Sequence, residues 1–335
     1  MQRILVTGAG GFIGGFIVEE AIKRGYHTYA GVRPSTNREY LTDPHIEFID
    51  LPFHNKKALK EKLSHIKEQS GRWDYIVHNL GATKVKQVAD FDKINFEYAR
   101  NFVDALTELD MQPELFVYMS TLGVMGLGDE TSDKPITLKK AQTPNTAYGR
   151  SKQKMEDYLR SCTGLNYVIL RPTGVYGPRE KDYFLMFKTV KSGFNFVPGF
   201  DEQYLSFIYV KDLVDVIFLC IERRVKRKEY LISDGQCYTS SEFCEITKNA
   251  LNKKVVITVK LPLTLVKGVS VVVEKVAKLA GKTSTLNGDK FRIMKQRNWN
   301  CDISELVKDT GFSPKYDLKK GVNEAIEWYK ENKWL

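Results

Sequence analysis

Short apolar runs alternate with stretches of helical periodicity through the first two-thirds of this chain. Arg3–Thr7 reads as a first strand, and Gly14–Arg24, stopped by Gly25, reads as a helix. His27–Val32 predicts a second strand and Ile46–Ile49 a third. Tyr75–His78, Leu115–Ser120 and Tyr167–Leu170 follow at similar spacing, each preceded by helical sequence. The repeated strand–helix unit predicts an α/β fold, a doubly wound parallel sheet covered on both faces. After Arg171 the pattern loses regularity, with turn-rich stretches around Pro172, Gly174, Gly177 and Pro178 and around Gly193, Pro198 and Gly199. Phe207–Ile221 reads as a strand then a helix returning to the first domain. The expected division places 1–172 and 204–232 in the doubly wound domain, and 173–203 and 233–335 in a smaller interleaved α+β domain.

Gly8-Ala-Gly-Gly11-Phe12-Ile13-Gly14 follows the first strand and opens the first helix. Glycines at 8, 11 and 14 let the backbone turn tightly, and the helix N-terminus offers unpaired N–H groups to a pyrophosphate. That strand–turn–helix setting predicts a dinucleotide-binding Rossmann domain. An acid about 20 residues on normally holds the ribose 2′-hydroxyl. Here no Asp or Glu lies between Glu20 and Glu39, and the second strand runs into Arg33-Pro-Ser35. A guanidinium there suits a 2′-phosphate, so NADP(H) is expected ahead of NAD(H).

Tyr148 and Lys152 lie four residues apart, on one face of a helix. A nearby ammonium favours the phenolate and should lower the Tyr pKa, making the pair a proton donor or acceptor. With the glycine loop and the strand-end Ser120-Thr121, the chain resembles the extended short-chain dehydrogenase/reductase family over nearly its whole length. The resemblance implies hydride transfer at nicotinamide C4, with Tyr148 as acid or base, Lys152 on the nicotinamide ribose and Thr121 as the substrate-positioning hydroxyl. It assigns a proton-relay role to Asn95; an ordinary helix-face polar residue is the plain alternative there, as a strand-end polar residue is for Asp50. It also places Asp50 and Leu51 at the adenine, and Leu80, Gly81 and Ala82 under the cofactor. Thr83, Gly123, Thr173, Val175 and Tyr176 become substrate-side positions. A homodimer packed through the helices of Asn95 and Tyr148 is implied as well.

Sugar-nucleotide members of that family usually carry Asn where this chain has Gly174, and Arg-Asp where it has Leu205-Ser206. Both departures remove polar groups that would hold a nucleotide diphosphate. The reading adopted is an NADPH-dependent ketone reductase acting on an apolar or amphipathic substrate, such as 3-ketosphinganine or a sterol-like ketone. A nucleotide-sugar epimerase or dehydratase is the second reading, and an NADP-binding regulatory protein the third.

Charge sharpens this picture. Residues 1–222 hold 28 basic and 28 acidic side chains, whereas 223–335 hold 23 and 13. Between Lys248 and Arg297 there are 12 Lys or Arg against only Glu274 and Asp289. Within that stretch, 261–282 reads as a helix begun at Pro262 and capped by Gly281. Val266, Val269, Val272, Val273, Val276, Leu279 and Ala280 fall in one arc, and Lys267, Lys275, Lys278 and Lys282 fall opposite. Such a helix packs its valines on its own domain, lies at an anionic membrane surface, or forms an apolar lid over a lipid substrate. No recognition pattern for nucleic acid occurs. Five scattered cysteines, without CxxC, give no metal-site spacing and fit reduced thiols in the cytoplasm. The N-terminus runs straight into the strand pattern with no signal-peptide core, and no apolar run reaches the length of a spanning helix. With 42% hydrophobic and 27% charged residues, the chain has the composition of an ordinary globular core.

Overall fold

The computed structural model describes residues 1–279 and 288–335. Its first elements are β1 (Arg3–Thr7), α1 (Phe12–Lys23), β2 (His27–Gly31), β3 (Glu47–Ile49), α2 (Lys56–Ser70) and β4 (Tyr75–His78). Next, α3 (Ala89–Asp92), a π-helical turn (Lys93–Glu97) and α4 (Tyr98–Glu108) run on without a break. Then come β5 (Leu115–Met119), α5 (Ala147–Ser161) and β6 (Tyr167–Pro172). Irregular sequence supplies β7 (Gly174–Tyr176), α6 (Asp182–Lys191), β8 (Phe194–Pro198), β9 (Tyr204–Leu205) and β10 (Phe207–Tyr209). α7 (Val210–Glu222), β11 (Lys228–Ile232), β12 (Tyr238–Thr239), α8 (Ser240–Ala250), β13 (Ile257–Leu261) and α9 (Leu263–Leu279) follow. α10 (Gly288–Lys295), α11 (Ser304–Thr310) and α12 (Leu318–Glu331) close the chain.

Seven strands form one sheet in the order β11-β6-β5-β4-β1-β2-β3. β1 pairs in parallel with β2 and β4, and β5 pairs in parallel with β4 and β6. The order reverses at β1, as in a doubly wound sheet, and that reversal opens a crevice beyond the strands' carboxyl ends. Every side chain of β4, β5 and β6 is buried. That is why these strands read as continuous apolar runs and not as alternating ones. Trp73, Ile76, Phe102, Leu106, Phe116, Tyr118 and Ile169 lie in the core on the α2–α4–α5 side.

Two compact units divide the chain. One comprises 1–121, 148–171 and 214–230; the other comprises 122–147, 172–213 and 231–335. Residues 122–147 and 204–213 therefore group with the second unit, not the first as the sequence pattern predicted. The reason is local packing. Leu122, Val124, Met125 and Ile136 bury themselves with Leu231 and Cys301. Asn298 Nδ2 donates to the carbonyls of Asp129, Ser132 and Lys134 at 3.1, 2.9 and 2.8 Å. Likewise, β10 pairs with β7 and β9 with β12. The second unit's core gathers Tyr176, Phe187, Phe207, Tyr209, Ile326 and Tyr329.

Candidate active site

The first unit builds its site where β1 meets α1. Gly8 has φ +68°, and a Cβ there would stand 2.9 Å from the Asn79 carbonyl oxygen. A Cβ at Gly14 would stand 2.2 Å from the Gly8 carbonyl oxygen, so α1 closes on the loop only because residue 14 is glycine. Gly11 donates its N–H to Gly8 O at 3.0 Å and precedes α1 without any side-chain cap. First-turn N–H groups at Phe12, Ile13 and Gly14 thus face an approach cleared of side chains, which fits a dinucleotide pyrophosphate.

Arg33 follows β2 and is exposed, as is Ser35. Its N–H donates to Thr36 Oγ1 at 3.0 Å, and Thr36 N–H donates back to Arg33 O at 2.9 Å. That turn packs against the glycine loop: a Cβ at Gly10 would lie 2.1 Å from the Thr36 methyl. A second arginine that the motif reading passed over, Arg38, stacks 4.1 Å above the Phe48 ring on β3. Asp50 is exposed just past β3, and Leu51 is buried beside it. Under the loop, Leu80 N–H donates to Thr7 Oγ1 at 3.2 Å. His78, fully buried, shares a 3.1 Å hydrogen bond between Nδ1 and Thr7 Oγ1. Burial drives its imidazole down to about 3, and the Lys152 charge adds to that.

Asn95 sits in the π-helical turn, buried. Its Oδ1 accepts from Ala82 N–H at 2.7 Å; its Nδ2 donates to Ala82 O and to Ser151 Oγ, both at 3.0 Å. Ser151 in turn donates to Tyr148 O at 2.7 Å. One amide therefore ties the Leu80–Thr83 loop to the helix of Tyr148 and Lys152. An ordinary α-helical surface asparagine makes no such pair of contacts, and the wider turn aims this one inward. Ser151 was missed because a serine inside a helix carries no motif by itself.

Tyr148 and Lys152 stand one turn apart on α5. Tyr148 is half-buried and hydrogen-bonded to Thr121; loss of water pushes its phenol up to about 12, and the Thr121 bond pulls the other way. Lys152 is only 3% exposed. Burial brings its ammonium down to about 8, against the raising effect of Glu156. Its Nζ donates to Met119 O at 2.8 Å and lies 4.8 Å above the Tyr118 ring. The expected lowering of the Tyr148 pKa by Lys152 is therefore corrected: burial raises it, and the opposing pull comes from the Thr121 hydrogen bond. Ser120, neighbour of Thr121, donates its hydroxyl to buried Glu156. Glu156 also takes Arg171 Nη2 at 2.7 Å and Arg160 Nη2 at 3.1 Å, and Glu229 pairs with both arginines. Sequence spacing gave no sign of this buried ionic network behind Lys152.

Of the substrate-side positions, Thr83 is exposed in the first unit, and Gly123, Thr173 and Val175 are half-buried in the second. Thr173 Oγ1 donates to Ser206 O at 2.7 Å. Tyr176 is fully buried, its hydroxyl donating to Asp317 O at 3.3 Å, so it belongs to the second unit's core and not to a substrate surface.

Residues 4–233 match the model of the NAD dependent epimerase/dehydratase family. An uncharacterized protein of Sinorhizobium fredii is 26% identical, over 98% of this chain and 95% of its own. The decarboxylating sterol-4-alpha-carboxylate 3-dehydrogenase of Saccharomyces cerevisiae is 21% identical over 99% of both chains. The UDP-glucose 4-epimerase of Thermotoga maritima, solved with UDP-glucose, superposes with a TM-score of 0.77 at 21% identity over 99% of both chains. A glycine-cleared phosphate loop on a doubly wound sheet and a family match over more than half the length agree: this chain belongs to the NAD-dependent epimerase/dehydratase family of extended short-chain dehydrogenases/reductases, and is an enzyme of that family.

Proposed function

We propose that the chain reduces a ketone to a secondary alcohol with NADPH, on an apolar or amphipathic substrate such as a long-chain 3-keto lipid. The carrying observation is the group formed by Tyr148, Thr121 and Lys152 in the unit that holds the glycine loop. A bound reduced nicotinamide supplies the hydride to the carbonyl carbon. Tyr148, protonated across the ordinary pH range, gives its proton to the carbonyl oxygen as charge develops there. Thr121 holds the phenol in place, and Lys152 keeps a positive charge behind it below about pH 8. Asn95 and Ser151 fix α5 relative to the loop beneath the nicotinamide. Arg33, on the turn beside the glycine loop, takes the 2′-phosphate.

The substrate class is supported by what the second unit has given up. A side chain at Gly174 would begin 2.1 Å from the Tyr183 hydroxyl, so an Asn there would have to displace Tyr183. Ser206 is buried, with Oγ hydrogen-bonded to Gln236 O at 2.9 Å. Neither position presents the polar side chain expected of a sugar-nucleotide site, which supports the apolar reading. The sterol dehydrogenase relative supports an apolar ketone.

The test is net NADPH oxidation with a long-chain 3-keto amino lipid in detergent, beside a UDP-sugar incubation. Stoichiometric consumption that Tyr148→Phe abolishes is the expected result. Conversion of the sugar with no net cofactor change would replace this reading with an epimerase. Arg33→Ala should raise the KM for NADPH about tenfold or more while leaving NADH unchanged. Equal effects on both cofactors would remove Arg33 as the reader of the 2′-phosphate.

A further inference from the structure

Phe194 and Phe196 project from the same side of β8, and both are exposed, at 42% and 54%. Their rings lie 6.1 Å apart and 9° from parallel. β13 runs parallel beside them, with Ile257 opposite Phe194 and Val259 opposite Phe196. Paired residues of neighbouring strands share a face, so these four side chains form one apolar surface. Ile257 is exposed, as are Val255 before β13 and Phe200 after β8. β13 passes through Pro262 directly into α9, whose Leu263 lies against Gly199 beside Phe200.

α9 continues the apolar surface. Val266 and Ser270 are buried, and Val273 is half-buried. Leu265, Val269 and Val272 are exposed, at 52%, 45% and 60%, and fall within an arc of about 60° at 100° per residue. The valines expected on one packing face are therefore split: Val266 faces inward, Val269 and Val272 outward. The side chains of Val276, Lys278 and Leu279, with Ala280, Gly281 and Lys282, lie outside the described residues.

Single exposed apolar residues are ordinary, but a continuous set with stacked aromatics marks an interaction surface. Charge selects the partner. Lys191 precedes β8, Lys253 and Lys254 precede β13, and Lys275 lies on α9 about 60° round the helix from Val272; all but half-buried Lys253 are exposed, and Lys267 lies on the far side of α9. Apolar side chains bordered by lysines match a bilayer interface with anionic headgroups, where the apolar groups enter the acyl boundary and the ammoniums meet phosphate. Among the described residues no helix is long and apolar enough to cross a membrane. We infer that the β8–β13 face, with Phe200 and the outer strip of α9, docks this chain on the surface of an anionic bilayer. The inference is independent of the substrate reading, because its test measures binding and not turnover.

The full chain is floated with vesicles of phosphatidylcholine alone or mixed with phosphatidylglycerol. Binding to the mixed vesicles, weakened by salt, is expected. Phe194→Ser with Phe196→Ser should lower it about tenfold or more while thermal melting and NADPH binding stay unchanged. Val269→Ser with Val272→Ser supplies the same test on α9, should the first pair melt early. Failure of the parent chain to float, or equal binding by both double variants, overturns the inference. A parent dimer that either pair converts to a monomer overturns it too, by giving the face to a second copy.

Discussion

Loss of water moves Tyr148 and Lys152 in opposite directions, the phenol up to about 12 and the ammonium down to about 8. The phenol stays protonated through neutral pH, while the ammonium loses its charge first. Turnover in the reductive direction should therefore be level near neutrality and fall as pH rises through about 8. Lys152→Arg, permanently charged, should turn over more slowly but without that alkaline decline; an identical decline would remove Lys152 as its source. His78 acts on stability instead. Its folded pKa, about 3, lies below the ordinary value of 6.5, so in acid the unfolded chain takes up a proton that the folded chain refuses. Stability must fall as pH drops below 6.5. His78→Phe keeps the stacking on Phe116 and Tyr118. It should cost about 1 kcal/mol at neutral pH for the lost hydrogen bond, and should flatten the acid limb of a urea-denaturation series.

Two elements owe their placement to single residues. α1 approaches β1 closely because Gly14 has no side chain. Gly14→Ala should weaken dinucleotide binding about a hundredfold by calorimetry, since α1 and the loop backbone must part to admit the methyl; a loss under threefold would refute the close-approach argument. α5 is anchored behind Lys152 by Glu156, fully buried against Arg171. Glu156→Gln leaves a buried guanidinium with one fewer counter-charge. About 3 kcal/mol of unfolding free energy should disappear, measured by denaturant titration. Lys152 should also deprotonate at lower pH, because Glu156 was holding its proton on.

For the whole molecule, cofactor binding and stability are linked. NADPH at 100 times its Kd should stabilise the chain by about 2.7 kcal/mol, a rise of several degrees in melting temperature. Tyr148→Phe should keep that rise and Gly14→Ala should lose it. A Tyr148→Phe chain that loses it as well would mean the phenol holds the cofactor and not only the proton.

Strand runs such as Arg3–Thr7 and Tyr75–His78 were legible to the residue, because strands buried on both faces must be continuously apolar. So was the glycine loop, because backbone approach to a phosphate admits few residue types. Those local constraints determined the doubly wound fold, the cofactor class and the Tyr148–Lys152 pair. Other features depend on residues far apart in the chain. Asn298 draws 122–147 into the second unit, Arg171 and Glu229 close on Glu156, and β13 pairs with β8 to bring Ile257 beside Phe194. The same holds for Tyr176, whose motif position suggested substrate contact until Asp317 and the α12 core enclosed it. Composition and spacing carry no record of such contacts. Burial, which sets the proton affinities of Tyr148, Lys152 and His78, arises from them and was decided by the tertiary structure alone.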